Sequence, residues 1–114
     1  MEQANSKSRT DRIRKLNDAH RAMIPTTTVF LSRGIAELDR EAKHAIIEAV
    51  RTFSTFTKGN DPWGEHDFGA FKIESNSVFW KIDYYDLEGV HGSADPADPA
   101  VTRRVLTILL SDEY

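Results

Sequence analysis

Two runs of alternating residues constrain the fold of this chain most. Residues 66–74 and 77–85 are rich in aromatic and β-branched residues, and Ser75-Asn76 lies between them. Such a pattern predicts a β-hairpin with a two-residue loop, which would place Gly69 opposite Ile82. Because side chains alternate between the faces of a strand, one face is expected to be core. That face carries Asp67, Gly69, Phe71, Ile73, Val78, Trp80, Ile82 and Tyr84.

The first third of the chain predicts a helix followed by a strand. Apolar residues at helical spacing begin after Thr10, whose side chain is predicted to cap the helix, and Pro25 ends it. Residues 26–32 are β-branched and aromatic and predict a strand. Arg33-Gly34 is predicted to turn the chain.

A second helix and a last strand complete the expected order. Asp39 is a suitable N-cap, and the helix is expected to decay towards Gly59. Residues 102–111 are apolar on every side; β-branched content favours a buried strand, although Asp98-Pro99 would also start a helix well. The order predicts an α+β domain with a small, mostly antiparallel sheet of about four strands against two helices. The stripe of the second helix is Ala42, Ile46, Ala49, Val50 and Phe53.

Length and composition predict one domain. We expect residues 10–114 to form it and residues 1–9 to be a disordered tail. The chain has no cysteine, which excludes disulfides, thiolate metal sites and cysteine nucleophiles. The sequence has no secretion signal and no apolar run of about 20 residues. A cytoplasmic protein without a cofactor, metal ion or membrane partner is therefore expected.

Charge is distributed unevenly along the chain. Residues 1–60 contain 11 Lys and Arg against 7 Asp and Glu, a net charge of +4, whereas residues 61–114 contain 4 against 11, a net charge of −7. Opposite charges predict that the two halves attract each other. They also predict an acidic surface that repels nucleic acid and attracts basic proteins.

Four stretches carry a resemblance to a known family. RIRKLNDAHR, NDPWGEHDFGAF, FWKIDYYD and GSADPADPAVTRRVLTILLSDEY resemble the bacterial domain-of-unknown-function family 3768, from about Arg12 to Tyr114. Members resemble passengers of plasmids and other mobile elements. The resemblance implies an accessory protein of mobile DNA, with inhibition of a host defence system (an anti-CRISPR-like role) as one form. It implies no activity, cofactor or catalytic residue.

The acidic half predicts a protein-binding surface. Aromatic side chains supply contact area, while carboxylates steer a basic partner and orient it. The expected partner is a basic protein of the host or the mobile element, such as a nucleic-acid-handling complex. The predicted partner-binding residues are Trp63, Glu65, Asp83, Tyr85, Asp86, Glu88, Asp95 and Asp98.

A metal-dependent hydrolase or nuclease is the alternative hypothesis. The hairpin register predicted above places His66 opposite Tyr85 and diagonal to Asp83. A histidine beside carboxylates can bind a divalent metal ion or act as a general base. The competing interpretation is a hydrogen bond from His66 that locks a loop onto the sheet. Asn60-Asp61 similarly predicts an Asx-turn rather than a ligand loop.

A third hypothesis assigns DNA binding to the first helix. That helix also carries Asp11 and Asp18, so a solvated helix face competes with this interpretation. Aromatic residues of the acidic half could stack on bases, but they lack the basic neighbours that phosphates require. The basic residues are Arg9, Arg12, Arg14, Lys15 and Arg21, and the aromatic residues are Trp63, Phe68, Trp80, Tyr84 and Tyr85.

Overall fold

A computed structural model describes residues 2–24 and 28–114, with side chains from residue 7 onward. The elements are helix α1 (Glu2–Ala22), strand β1 (Val29–Leu31), helices α2 (Arg33–Ala36) and α3 (Arg40–Arg51), strands β2 (Phe68–Ile73), β3 (Asn76–Tyr85) and β4 (Arg103–Leu110), and a 3₁₀ turn at Ser111–Glu113. This order confirms the predicted α+β class. Residues 26 and 27 of the predicted first strand lie outside the described residues.

The four strands form one mixed sheet in the order β1-β4-β3-β2. The β1–β4 pair is parallel, while β2–β3 and β3–β4 are antiparallel. The last strand pairs along its whole length with β3, from Val78↔Leu110 to Tyr85↔Arg103. The choice of strand for residues 102–111 is therefore confirmed.

The hairpin forms, but its predicted register is wrong by two residues. Ile73 pairs with Asn76, so the loop is Glu74-Ser75, and Glu74 takes the left-handed conformation at φ 54°. Gly69 consequently pairs with Trp80 and not with Ile82. A shift of two residues preserves the faces, and the predicted core residues Val78, Trp80 and Ile82 are buried.

The bounds of the two long helices differ from the prediction. Helix α1 begins at Glu2, because residues 2–9 contain neither proline nor glycine, so Thr10 lies inside it and is not its cap. The predicted disorder of residues 1–9 stays a prediction. Helix α3 begins as predicted, with Asp39 accepting a hydrogen bond from the Ala42 N–H at 2.7 Å. It ends at Arg51, well before Gly59.

A contact from the first helix accounts for the early end of α3. Arg21 donates to the carbonyls of Val50 at 3.0 Å and Phe53 at 2.9 Å, near the last turn of α3.

Another correction concerns Arg33-Gly34, which belongs to the short helix α2. The Ser32 side chain caps that helix by accepting from the Ile35 N–H at 3.2 Å.

The core lies between one face of the sheet and the helices. It joins Ile35, Ile46 and Val50 of the helices to Trp80 and Ile108 of the sheet. Phe53 and Phe56, after α3, pack edge-on against Trp80, with ring centroids 5.6 and 6.2 Å away. The opposite face of the sheet carries an aromatic cluster in which Phe79 lies between Phe68, 5.4 Å away, and Tyr114, 5.5 Å away.

Candidate functional site

The loop of residues 57–67 is held in place by its own side chains. Asn60 accepts from the Thr57 N–H at 2.7 Å and donates to the Thr55 carbonyl at 3.1 Å. Asp61 accepts from the His66 N–H at 3.1 Å. These contacts are those of a turn, as the sequence predicted for Asn60-Asp61.

His66 contacts two carboxylates, and neither belongs to Asp83. Its Nδ1 lies 2.8 Å from an oxygen of Asp18, and its Nε2 lies 3.5 Å from an oxygen of Asp61. The imidazole stacks on Phe56, with ring centroids 3.6 Å apart and planes 5° apart. His66 itself has φ 56° and precedes strand β2, so the predicted pairing with Tyr85 does not form. His66 thus locks the loop onto α1, and not onto the sheet as the competing interpretation expected.

Arg21 joins the same cluster from inside the molecule. The residue is 3% exposed, and its guanidinium donates to Asp18 at 2.9 Å. It also lies over the rings of Trp80, at 4.7 Å from the centroid, and Phe56, at 5.4 Å. Burial lowers the pKa of Arg21, and the hydrogen bond to Asp18 opposes that shift. We name Asp18, Arg21, Asp61 and His66 the histidine cluster.

A second buried network begins at Asn17, the residue that precedes Asp18 on α1. Asn17 is fully buried; it accepts from Nε of Arg104 at 2.8 Å and donates to the Tyr84 hydroxyl at 2.8 Å and the Glu65 carbonyl at 3.0 Å. Arg104 also donates to the Pro96 carbonyl. Burial lowers the pKa of Arg104 and strongly raises that of Tyr84. We name Asn17, Glu65, Tyr84 and Arg104 the asparagine network.

Acidic groups converge beside these two clusters. Burial raises the pKa of the Asp67 carboxyl, and the negative charge of Glu65 adds to the shift, followed by the charges of Asp61 and Asp83. The Glu65 carboxylate also accepts from the Tyr84 hydroxyl at 3.2 Å. Negative charges thus lie close to Asp67, although Lys81 pairs with Asp83 and His66 contacts Asp61.

Trp63 projects from the loop next to these acids. The residue is 80% exposed, although its neighbour Gly64 is fixed through a 3.1 Å hydrogen bond from Arg14 to the Gly64 carbonyl. Gly64 has φ 70°, a conformation that suits glycine. An exposed indole thus stands on an ordered loop.

Most of the other predicted partner-binding acids are engaged in contacts within the protein. Asp83 pairs with Lys81 at 2.9 Å, and Asp95 pairs with Arg9 at 3.2 Å. Asp86 accepts from the N–H groups of Val90 and His91, which lowers its pKa. Asp98 accepts from the Ala100 N–H at 2.9 Å. Glu88 is exposed and Tyr85 is half-buried.

Several basic residues of α1 make contacts within the protein. Arg21 is buried, Arg9 pairs with Asp95, and Arg14 pairs with Asp11. Arg12 and Lys15 are exposed. Arg21, Arg9 and Arg14 thus contact other residues of the same molecule, which favours a structural role for this helix. The DNA-binding hypothesis stays a prediction.

The metal hypothesis receives no support from the side-chain positions. Among the side chains that the structure describes, no group of three His, Asp or Glu residues is placed to hold a metal ion. The Asp83 carboxylate, the proposed partner of His66, contacts Lys81. The hydrolase hypothesis stays a prediction.

The fold and these clusters define a small α+β protein in which buried polar contacts hold α1 against a mixed sheet. A family model described as "Protein of unknown function (DUF3768)" matches residues 31–113, so the chain belongs to that family. The predicted resemblance is confirmed over this range, while RIRKLNDAHR lies outside it. No curated protein and no solved structure matches the chain. Within the described residues, every helix is too short or too polar to span a bilayer.

Proposed function

We propose that this protein binds another protein through the end of the sheet that carries Trp63. The observation that supports the proposal is the indole of Trp63, 80% exposed on a loop whose backbone is fixed. Tryptophan is prominent among the residues that dominate binding energy in interfaces. An ordered loop presents it with little loss of conformational entropy on binding.

Charge defines the kind of partner. Glu65 and Asp61, each two positions from Trp63 in the loop, contribute negative charge at Asp67, and Asp83 of strand β3 adds to it. Such a cluster attracts a basic surface and orients it during encounter. We therefore propose a basic protein as the partner, with Trp63 as the anchor.

The cellular context is a further part of the proposal. An accessory role in mobile DNA and inhibition of a host defence system in the anti-CRISPR manner derive from the family resemblance, whereas the cytoplasmic location derives from the composition of the sequence. A basic partner is consistent with this context, because proteins that handle nucleic acid are commonly basic. An acidic protein that occupies a nucleic-acid groove competes with the nucleic acid directly.

Affinity capture with matched variants tests the proposal. Tagged wild-type protein, Trp63→Ala and Leu87→Ala are incubated with host lysate, and bound proteins are identified by mass spectrometry. Leu87 is a suitable control because it is also exposed, at 61%. We expect a basic protein captured by wild type and Leu87→Ala, lost with Trp63→Ala, and released as salt rises.

Two results would contradict the proposal. One is capture of the same proteins by Trp63→Ala as by wild type. The other is capture that does not change between low and high salt. Unfolding curves of all three proteins verify that the loss with Trp63→Ala is a loss of binding surface, since an exposed side chain contributes little to stability.

A further inference from the structure

Strand β1 leaves one side of its backbone unpaired among the described residues. β1 lies at the edge of the sheet and pairs only with β4. Its bonds to β4 run through even-numbered residues, since Leu106 donates to the Thr28 carbonyl and Ser32 donates to the Ile108 carbonyl. Backbone groups alternate in direction along a strand, so the N–H and C=O groups of Val29 and Leu31 point to the outer edge.

A groove runs between this edge and helix α3. Its volume is about 720 Å³, and it is open to solvent. Leu31 and Ile47 provide apolar walls, and both are half-buried. The other lining residues are Arg40, Glu41, Lys43 and His44. The groove is therefore apolar at its base and carries charge along α3.

The charge of the groove is positive. Arg40 and Lys43 outnumber the single carboxylate of Glu41. The Lys43 amine donates to the Ala36 carbonyl at 3.4 Å, which holds the cation at the end of α2, the short helix that follows β1. This surface lies on α3, apart from the acidic residues around Trp63. It would repel the basic partner proposed above and attract a negatively charged one.

We propose that an extended acidic peptide segment of another protein adds to β1 as a fifth strand of the sheet. Each outward residue of β1 offers one donor and one acceptor for the backbone of that segment. Side chains alternate along the added strand, so every second one faces α3. An apolar side chain there packs on Leu31 and Ile47, and a carboxylate pairs with Arg40 or Lys43.

Defined peptides test this proposal. A capped peptide of alternating glutamate and valine is titrated into ¹⁵N-labelled protein, and amide shifts are followed by NMR. Two control peptides replace glutamate by lysine, or the central valine by proline, which lacks the N–H of a strand. We expect saturable shifts at Val29–Leu31 and in α3 with the first peptide and none with the controls.

Variants locate the charge contribution. Arg40→Glu is expected to weaken binding of the glutamate peptide about tenfold or more, because attraction becomes repulsion. Arg12→Glu changes an exposed arginine on α1 by the same charge and is expected to leave the affinity unchanged.

Three outcomes would overturn the proposal. The first is equal binding of the proline peptide, which would show that no strand is added. The second is equal weakening by Arg12→Glu, which would show attraction to net charge alone. The third is a dimer of the protein, seen by sedimentation, that blocks the peptide; β1 would then pair with a second copy. Each peptide comparison uses the wild-type protein and is independent of the Trp63 experiment.

Discussion

The buried side chain of Trp80 requires a glycine at position 69, its partner on the neighbouring strand. Trp80 is fully buried, and a Cβ added at Gly69 would overlap its indole nitrogen. We expect Gly69→Ala to lower the free energy of unfolding by about 1–3 kcal/mol, the usual cost of overpacking a core. Gly59→Ala is the control, because the nearest atom to its Cβ would be 3.7 Å away. Urea titration measures both, and equal stabilities would contradict the prediction.

Tyr84 and Tyr85 are adjacent residues with different expected contributions. The Tyr84 hydroxyl accepts from Asn17 and donates to Glu65 in the asparagine network. Removing it in Tyr84→Phe leaves the buried Asn17 and the half-buried Glu65 each short of a partner, at a cost of about 1–2 kcal/mol. Tyr85→Phe is expected to change the free energy of unfolding by less than about 0.5 kcal/mol. Chemical denaturation would contradict this if the two variants lost equal stability.

Two carboxyl groups have opposite expected effects on the pH dependence of stability. The pKa of Asp67 is raised by burial and by neighbouring acids, so the folded state binds its proton more tightly than the unfolded state. The Asp67 carboxyl group therefore lowers the stability of the protein as the pH rises from its ordinary pKa through its raised pKa. Asp67→Asn is expected to make the protein more stable at neutral pH.

The expected effect of Asp86 on the pH dependence of stability has the opposite sign. Hydrogen bonds from the Val90 and His91 N–H groups lower its pKa. Its contribution is present above the ordinary pKa and is lost as pH falls through the lowered one. Asp86→Asn is expected to lose stability at neutral pH. Thermal melts between pH 3 and 7 compare the two variants. A stabilised Asp86→Asn or a destabilised Asp67→Asn at neutral pH would contradict the assignment made for that residue.

At the scale of elements, α1 is held by polar contacts as well as by its apolar face. Asp18 accepts from His66, which links α1 to the loop of residues 57–67, and from Arg21 of the same helix, which itself reaches the end of α3. Asp18→Ala is expected to cost about 1–3 kcal/mol, because it leaves the buried Arg21 with one partner fewer. Hydrogen exchange should quicken in α1 and in that loop together.

Asp11→Ala is the matched control on the same helix. Asp11 also accepts from an arginine three residues further on, but that pair is partly exposed. Both substitutions improve helix propensity equally. Arg14, the partner of Asp11, also donates to the Gly64 carbonyl, so the difference between the two variants measures what the contacts of Asp18 add beyond that link. Equal exchange rates in the loop of residues 57–67 for the two variants would contradict the assigned role of Asp18.

Features that depend on neighbouring residues were predictable, whereas distant contacts were not. Asp39 caps α3 through a hydrogen bond from the Ala42 N–H, three positions away, and such a motif can be recognised in the sequence. His66 meets Asp18 across 48 positions, and Arg104 meets Asn17 across 87. Nothing local specifies these partners. The hairpin faces were predicted correctly because alternation fixes them, but the loop position depends on a single left-handed residue, Glu74.

At the scale of the whole molecule, the opposite charges of the two halves are joined by few contacts. Among the side chains described, Arg9–Asp95 is the one Lys or Arg pair that links residues 1–60 to residues 61–114, and both of its partners are about half exposed. Other polar side-chain links between the halves, among the residues described, are the His66–Asp18 contact and hydrogen bonds with uncharged partner groups, such as Arg14 to the Gly64 carbonyl. The β1–β4 pairing and the core also join the halves. Attraction between opposite net charges is thus a small part of what holds the fold together.

This distribution predicts a weak effect of salt on stability. Exposed ion pairs contribute about 0–1 kcal/mol and are screened by salt, whereas buried networks and the core are not. The free energy of unfolding in urea should therefore change by less than about 1 kcal/mol between low salt and 0.5 M NaCl. Arg9→Ala should behave like wild type throughout this range. A loss of several kcal/mol in wild type, diminished in Arg9→Ala, would instead show that charge attraction between the halves stabilises the fold.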